Sequence, residues 1–224
     1  MEVFKEGFLV ALKGVPMTLQ VTVMAVIFGI FLGFFIALMN MSKNILLRGI
    51  AGVYVEIVRG TPLIVQALIM AYGIPTILQA YGSEFKWANL IIPAVCVCAL
   101  NSAAYVAEVI RGGLQSVDHG QMEAASSLGM SKFMALRLII IPQAFKIIMP
   151  SLGNEFITLI KETSVLAFCG VPEILRQGEL WASSNFNTFE AYTGVALAYM
   201  CLTIPLSRIV KLIEKRMKRN ERKA

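Results

Sequence analysis

Lys161-Glu162-Thr163-Ser164 places a cation, a carboxylate and two hydroxyls inside an apolar but interrupted stretch from Ala144 to Gly170, and Asn101-Ser102 with Tyr105 places an amide and hydroxyls inside an apolar stretch from Trp87 to Ala107. Residue types like these bind rather than break bonds. Glu162 can hold an ammonium group, the Thr163 and Ser164 hydroxyls can orient a ligand, and the Asn101 amide offers both donors and an acceptor, which suits a zwitterion. Tyr105, four residues beyond Asn101 on the same helical face, can wall such a site. Two plainer readings stay open: an ion pair between Lys161 or Glu162 and another helix, and an interhelical hydrogen bond from Asn101. Bond-making chemistry lacks its parts. His119 is the only histidine, and Cys96, Cys98, Cys169 and Cys201 show no metal-ligand or redox spacing and suit buried packing. No Gly-x-x-x-x-Gly-Lys-Ser/Thr loop is present to cradle nucleotide phosphates.

A second constellation is polar and small. Asp118 occupies an N-cap position, and Gln121 three residues later can return a hydrogen bond to it, the pattern of a capping box. Gln121, Glu123, Ser126 and Ser127 then alternate with Ala124, Ala125 and Leu128, and Gly129 offers the left-handed conformation that closes a helix. Ser131 can cap a second helix running to a break at Pro142. Successive alanines permit close backbone approach and Leu128 with Met130 supplies an apolar knob, so the first helix suits insertion into a groove on another protein. An interfacial helix lying on lipid would favour a Lys/Arg-rich polar face. None of the residues between Asp118 and Met130 is Lys or Arg.

The elements that carry these residues follow from composition. The chain of 224 residues is 57% hydrophobic and only 15% charged, with a mean hydropathy of +0.72, against roughly 25% charged for a soluble domain. A bilayer core of about 30 Å needs about 20 apolar residues per crossing. Five helices are predicted, at about 14–41, 49–80, 87–111, 144–169 and 190–212, with a polar region 112–142 between the third and fourth, all in one membrane domain 1–224. The first apolar stretch is too long for the core of a signal peptide and no small-residue cleavage site follows it, so it reads as a retained helix. Within it Gly29 and Gly33 form a Gly-x-x-x-Gly pair, a pattern too frequent in membrane helices to carry weight by itself.

The net charge of +6 is not a nucleic-acid signature. From Arg208 onward eight basic residues face two acidic ones, which accounts for the whole excess. Basic flanks mark the cytoplasmic side, so the C-terminus is expected there and, after five crossings, the N-terminus outside. Lys43 and Arg48 in the first connection, and Arg111, Lys132 and Arg137 against Asp118 and Glu123 in the third, agree. The second connection is balanced and the fourth is acidic. Glu56 with Arg59, and Glu108 with Arg111, stand at i,i+3 and are expected to form structural pairs, while Gly60 and Pro62 permit a bend.

Glu123-Ala124-Ala125, three residues, Gly129, nine residues, then Ile139-Ile140-Ile141-Pro142 resembles the signature of the permease subunits of bacterial ATP-binding-cassette importers, with Ile141 where Leu is usual. Tyr54 to Gln66, Ala104 to Val117 and Lys161 to Val165 are similar to further blocks of the polar amino-acid subfamily, so the likeness runs over nearly the whole chain. The resemblance implies an all-α, five-helix permease of the type I importer fold in the bacterial inner membrane, paired with a second copy or a related permease. It implies two cytoplasmic ATPase subunits that bind ATP and Mg, an extracytoplasmic amino-acid-binding protein, and no cofactor or catalytic site in this chain. Gly120, Glu123, Ala124, Ala125, Leu128 and Gly129 would then form the helix on which the ATPase docks. Asp118-His119 replaces a common Pro and polar residue, which implies an altered helix entrance and removes a basic ligand there. The competing class is an ion-coupled secondary transporter of a small polar solute. It commonly shows inverted repeats, none of which is visible, and it leaves the docking helix unexplained. A membrane-embedded enzyme would need a nucleophile and base, or a metal cluster.

Overall fold

Helix α1 (Glu2–Leu12) precedes the first apolar span and buries Gly7 and Ala11, and a turn at Lys13-Gly14 leads into α2 (Val15–Asn40) with Pro16 in its first turn. The computed structural model describes residues 2–221; Arg222 and Lys223, part of the basic tail, lie outside the described residues. At 1.5 Å per residue the 26 residues of α2 reach about 39 Å, enough to cross a bilayer. Asn44 caps α3 (Ile45–Arg59), its Oδ1 accepting from the Leu46 and Leu47 N–H groups. Next come α4 (Leu63–Ala80) and α5 (Ile91–Gln115). The short α6 (His119–Ser127) is followed by α7 (Lys132–Cys169), α8 (Ile174–Asn185) and α9 (Thr188–Glu221). Among the described residues five stretches have the length and apolarity to cross a membrane: the one containing α2, then α4, α5, α7 and α9.

The predicted helix over 49–80 is broken. Pro62 has no N–H and disfavours helical geometry at Thr61; it adopts ψ 138° and caps α4, while Gly60 ends α3. Two prolines are absorbed differently. The N–H of Ile74 reaches back to Ile69 and that of Ile141 to Leu136, five residues each, so a single π turn stands immediately before Pro75 and Pro142. The helix opened by Ser131 therefore does not end at Pro142 as the sequence suggested, but runs on as α7, tightening to a 3-10 segment at Thr163–Cys169 that Gly170 closes at φ 80°.

Helix α5 is the centre of the fold, buried over two-thirds of its most apolar window. It lies along α2 through the glycine pair to which the spacing alone gave little weight. A Cβ on Gly29 would stand 2.9 Å from the Ser102 side chain, and one on Gly33 would stand 2.7 Å from both Ala103 O and Val106. Two elements carry no apolar span and escaped the sequence reading. Helix α1 packs on α9, where Gly194 meets the backbone of Gly7 and Phe8. Helix α8 buries Ile174, Gly178 and Ala182 at intervals of four. Its N-cap, Glu173, is fully buried; it accepts from the N–H groups of Leu175 (2.9 Å) and Arg176 (2.7 Å) and from Tyr199 Oη at 2.5 Å. Burial holds its carboxyl above the usual range against the pull of those three donors.

Gly33→Ala is expected to lower the melting temperature of the detergent-solubilised protein, overpacking costing about 1–3 kcal/mol. Gly49→Ala, with nothing within 4 Å of its Cβ, should not lower it. For Glu173 the folded state holds the proton more tightly than the unfolded chain, so its contribution is full below the ordinary glutamate pKa of about 4.3 and is lost as pH rises through the higher folded value. Glu173→Gln should accordingly lose less stability than wild type as the pH is raised above about 4.3, read as melting temperature against pH.

Candidate functional site

The break between α3 and α4 opens a cleft of about 390 Å³ whose wall includes Arg59, Thr61, Asn101, Tyr105 and Glu162. Three of the five predicted ligand residues, Asn101, Tyr105 and Glu162, thus come together from α5 and α7. The other two do not border it. Thr163 is buried, with its hydroxyl donating to Ile160 O at 2.7 Å, and Ser164 lies beyond it in the 3-10 segment, where the tightened turn carries both away from Glu162's face. Lys161 is exposed, about 100° round the helix from Glu162. Glu155 stands two turns before Glu162 on the same face of α7.

The cleft carries both signs of charge. Arg59 lies with its guanidinium 5.3 Å from the centre of the Tyr105 ring, a cation–π distance. Its ion-pair partner is Glu108, at 3.3 Å, rather than the expected Glu56. Glu108 in turn takes a two-pronged contact from Arg111 at 2.9 and 2.8 Å, the i,i+3 pair the spacing predicted. Arg59 also borders a second cavity of about 520 Å³, shared with Glu56, Glu108, Arg111 and Gln115. The residue that sequence reasoning missed is Gln66. Its Nε2 donates to Val58 O at 2.7 Å, to Thr61 Oγ1 at 2.8 Å and to Thr61 O at 3.1 Å, across the break, and its Oε1 accepts from Asn101 Nδ2 at 3.2 Å. A glutamine one turn after an X-Pro helix break was the available signal.

Helix α6 forms the second surface. Asp118 caps it, Oδ1 accepting from the Gly120 N–H at 2.7 Å. Gln121 does not complete a capping box: its Oε1 accepts from Gln143 Nε2 at 3.2 Å, tying α6 to α7. At the other end the N–H groups of Gly129 and Met130 bond to Ser126 O and Ala125 O, a Schellman motif with Gly129 at φ 78°. Met122 packs on Val117, Ile140 and Ala144, and Ala125 is buried beside it. Since neighbours on a helix diverge by about 100°, Ala125 faces inward while Gly120, Glu123, Ala124, Gly129 and Leu128, the last 81% exposed, stay open.

Residues 29–219 match the family of binding-protein-dependent transport system inner membrane components, and the chain belongs to that family. It is a multi-pass permease component of the bacterial inner membrane with an all-helical fold. It is 39% identical over 211 residues to a probable amino-acid permease protein, YxeN, of Bacillus subtilis strain 168, covering 94% of this chain and 92% of that one. It is 40% identical over 206 residues to a putative glutamine transport system permease protein, GlnP, of Rickettsia prowazekii strain Madrid E, covering 92% of each. The crystal structure of an amino acid ABC transporter with histidines superposes with a TM-score of 0.84 at 42% identity, over 92% of this chain and 94% of that one.

Removing the Schellman glycine tests whether α6 is held as a rigid unit. Gly129→Ala must place a Cβ at φ 78° and is expected to destabilise the α6–α7 junction by about 1 kcal/mol. The readout is faster amide exchange in residues 119–130, with the membrane spans unchanged.

Proposed function

We propose that this chain is the permease subunit of an ATP-binding-cassette importer and forms, with a second copy or a related permease, the pathway for a polar L-amino acid. A separate pair of ATPase subunits binds ATP and Mg and docks on the open face of α6, and an extracytoplasmic binding protein delivers the cargo. The chain itself performs no bond-making step. In this reading α6 lies on the cytoplasmic side with the basic C-terminal tail, the N-terminus lies outside, and the lipid surrounds α2, α4, α5, α7 and α9.

The observation that carries the reading is the open face of α6. An apolar side chain as exposed as Leu128, on a helix capped at both ends and bolted to the span behind it, is a built contact surface lacking its counterpart. Glu123 and Ala124 flank it, the alanine permitting close approach. The cleft supports the cargo class: Arg59 and Glu162 supply opposite charges for a zwitterion, and Asn101 and Tyr105 supply polar and aromatic walls. A charge at membrane depth costs at least about 2.5 kcal/mol, which is tolerable where it borders such a cavity.

Docking is tested by Glu123→Arg and Gly129→Arg in the reconstituted importer. Both should abolish ATP-driven uptake and copurification of the ATPase while leaving the amount of inserted permease at the wild-type level. Unaltered uptake in both variants defeats the docking assignment.

A further inference from the structure

Helix α9 is longer than a bilayer needs. Its 34 residues reach about 51 Å against a hydrocarbon core of about 30 Å, and the charge-free run from Ala191 to Ser207 takes up only about 25 Å of that length. Arg208 therefore stands at the edge of the hydrocarbon. The helix is also the least covered of the five spans, with 6% of its most apolar window buried. One exposed stripe runs down it. Leu197, Met200 and Ile204, between 42 and 48% exposed, are followed at the same three- and four-residue steps by Arg208, Lys211 and Lys215, all exposed, and that spacing keeps the six on one helix face. Below Pro205 the flank of the stripe stays apolar, with Ile209, Leu212 and Ile213 exposed beside the cations. A different side is turned to the protein: a Cβ on Gly153 of α7 would stand 2.7 Å from Val210.

Three arginines earlier in the chain are paired internally, Arg59 and Arg111 on Glu108 and Arg176 on Glu179. Arg208, Lys211, Lys215 and Arg216 have no ion pair among the described residues. The only acid from 208 to 217 is Glu214, one turn from Val210 on the side toward α7. Unpaired cations directly below an exposed apolar stripe call for anions at the depth where the hydrocarbon ends, and a bilayer supplies them in its own headgroups.

We propose that the basic end of α9 is a binding site for anionic phospholipid: Arg208, Lys211 and Lys215 take the phosphate groups of lipids of net negative charge, whose chains lie along Leu197, Met200 and Ile204. Arginine grips a phosphate with two prongs and lysine meets it as a point charge. Lipid fits this face better than protein. A second copy related by a two-fold axis along the membrane normal would set equal depths together, so the stripe would bring each cation against its own duplicate. A water-soluble subunit has no access to Ile204 and Arg208 at the hydrocarbon edge, and exposed Ile209, Leu212 and Ile213 beside the cations suit the boundary between chains and headgroups. In the proposed topology this is the cytoplasmic leaflet. The site depends on neither the cleft nor the docking face of α6.

The test reads which lipid lies beside the stripe. Cys201, exposed on the same face two turns before Arg208, carries a bimane fluorophore, with Cys96→Ser leaving only buried thiols besides, and the full chain is reconstituted in phosphatidylcholine vesicles. Quenching by a small fraction of dibrominated phosphatidylglycerol is compared with quenching by the same fraction of dibrominated phosphatidylcholine. The anionic lipid should bind about fivefold more tightly, the worth of one cation near a charged headgroup. Arg208→Gln, Lys211→Gln and Lys215→Gln together should bring that ratio to about one. Lys43→Gln with Arg48→Gln, exposed cations away from α9, should leave it unchanged. If the triple variant does not insert, Lys211→Gln alone should lower the ratio about twofold.

Equal quenching by the two lipids in the wild type overturns the proposal. So does a ratio that survives the triple variant, or one that falls as far with Lys43→Gln and Arg48→Gln, which would be a general surface potential. Protection from both lipids would mean that a second copy covers the stripe. Loss of the preference when the permease–ATPase complex is measured in place of the permease would hand the stripe to the ATPase. Inorganic phosphate that displaces the lipid more than chloride does at equal ionic strength would make the site one for a soluble anion. Each of those three results also overturns the assignment.

Discussion

No water stands ready inside a bilayer to satisfy a freed backbone group, so every irregularity in a membrane helix must be settled by the protein itself. Prolines create that problem here, Pro150 and Pro205 inside helices among them, and at three others the answer is local. Before Pro75 and Pro142 the ladder widens to a π turn, and Ile74 and Ile141 find acceptors one residue further back. At Pro62 the helix is broken outright, and the answer is a side chain: Gln66 takes up Val58 O and Thr61 O. The first two solutions are self-contained. The third has an amide end to spare, and that end reaches Asn101 on α5. The cleft lies at that break, bordered by Thr61 on one side and Asn101 on the other.

Charge in the same region obeys a related economy of partners. Arg59, Glu108 and Arg111 form a row in which one carboxylate serves two guanidinium groups. Arg59 is thereby held at the wall between two cavities, with the Tyr105 ring beneath it. The i,i+3 spacing of Glu56 and Arg59 suggested a local pair worth a few tenths of a kcal/mol in water. The long-range partner prevails because the Arg59 side chain crosses to α5, where Glu108 is only partly exposed and already oriented by Arg111. Local spacing names the candidates for such a pair and cannot rank them against residues 49 positions away.

The same division runs through the whole chain. Charge-free runs announced the spans, and Asp118, Ser131 and Gly129 announced their caps and closure, because each of those signals is contained within a few residues. Proline was misread twice in opposite senses. Pro62 breaks a helix expected to continue, and Pro142 sits in a helix expected to stop, since a π turn five residues long costs little and leaves no trace in composition. Helices α1 and α8 were lost because neither has a charge-free span; their buried faces consist of Gly7 and Ala11, and of Ile174, Gly178 and Ala182. Of the site, Asn101, Tyr105 and Glu162 were legible as polarity in oil. Gln66 was not, because its importance lies in a contact that only the fold creates.

The uninterrupted course of α7 changes what the docking surface can do. Had the chain broken at Pro142, motion of α6 would have ended at a hinge. Instead Gln121 and Met122 fasten α6 to Gln143, Ile140 and Ala144 on α7, and α7 stays helical, with Pro150 in its interior, to Glu162. From Lys132 to Glu162 that is about 45 Å of helix at 1.5 Å per residue, longer than the hydrocarbon core is thick. The π turn and Pro150, which has no N–H, are two places where the axial ladder of α7 is altered. On the proposed reading, a push on the open face of α6 is passed to α7, the helix that carries Glu162 at the cleft. Helix α5, with Asn101 and Tyr105, is packed on α2 through the glycine pair and on α7 where Gly113 meets Ile148, so any such motion must be accommodated at the second of these contacts.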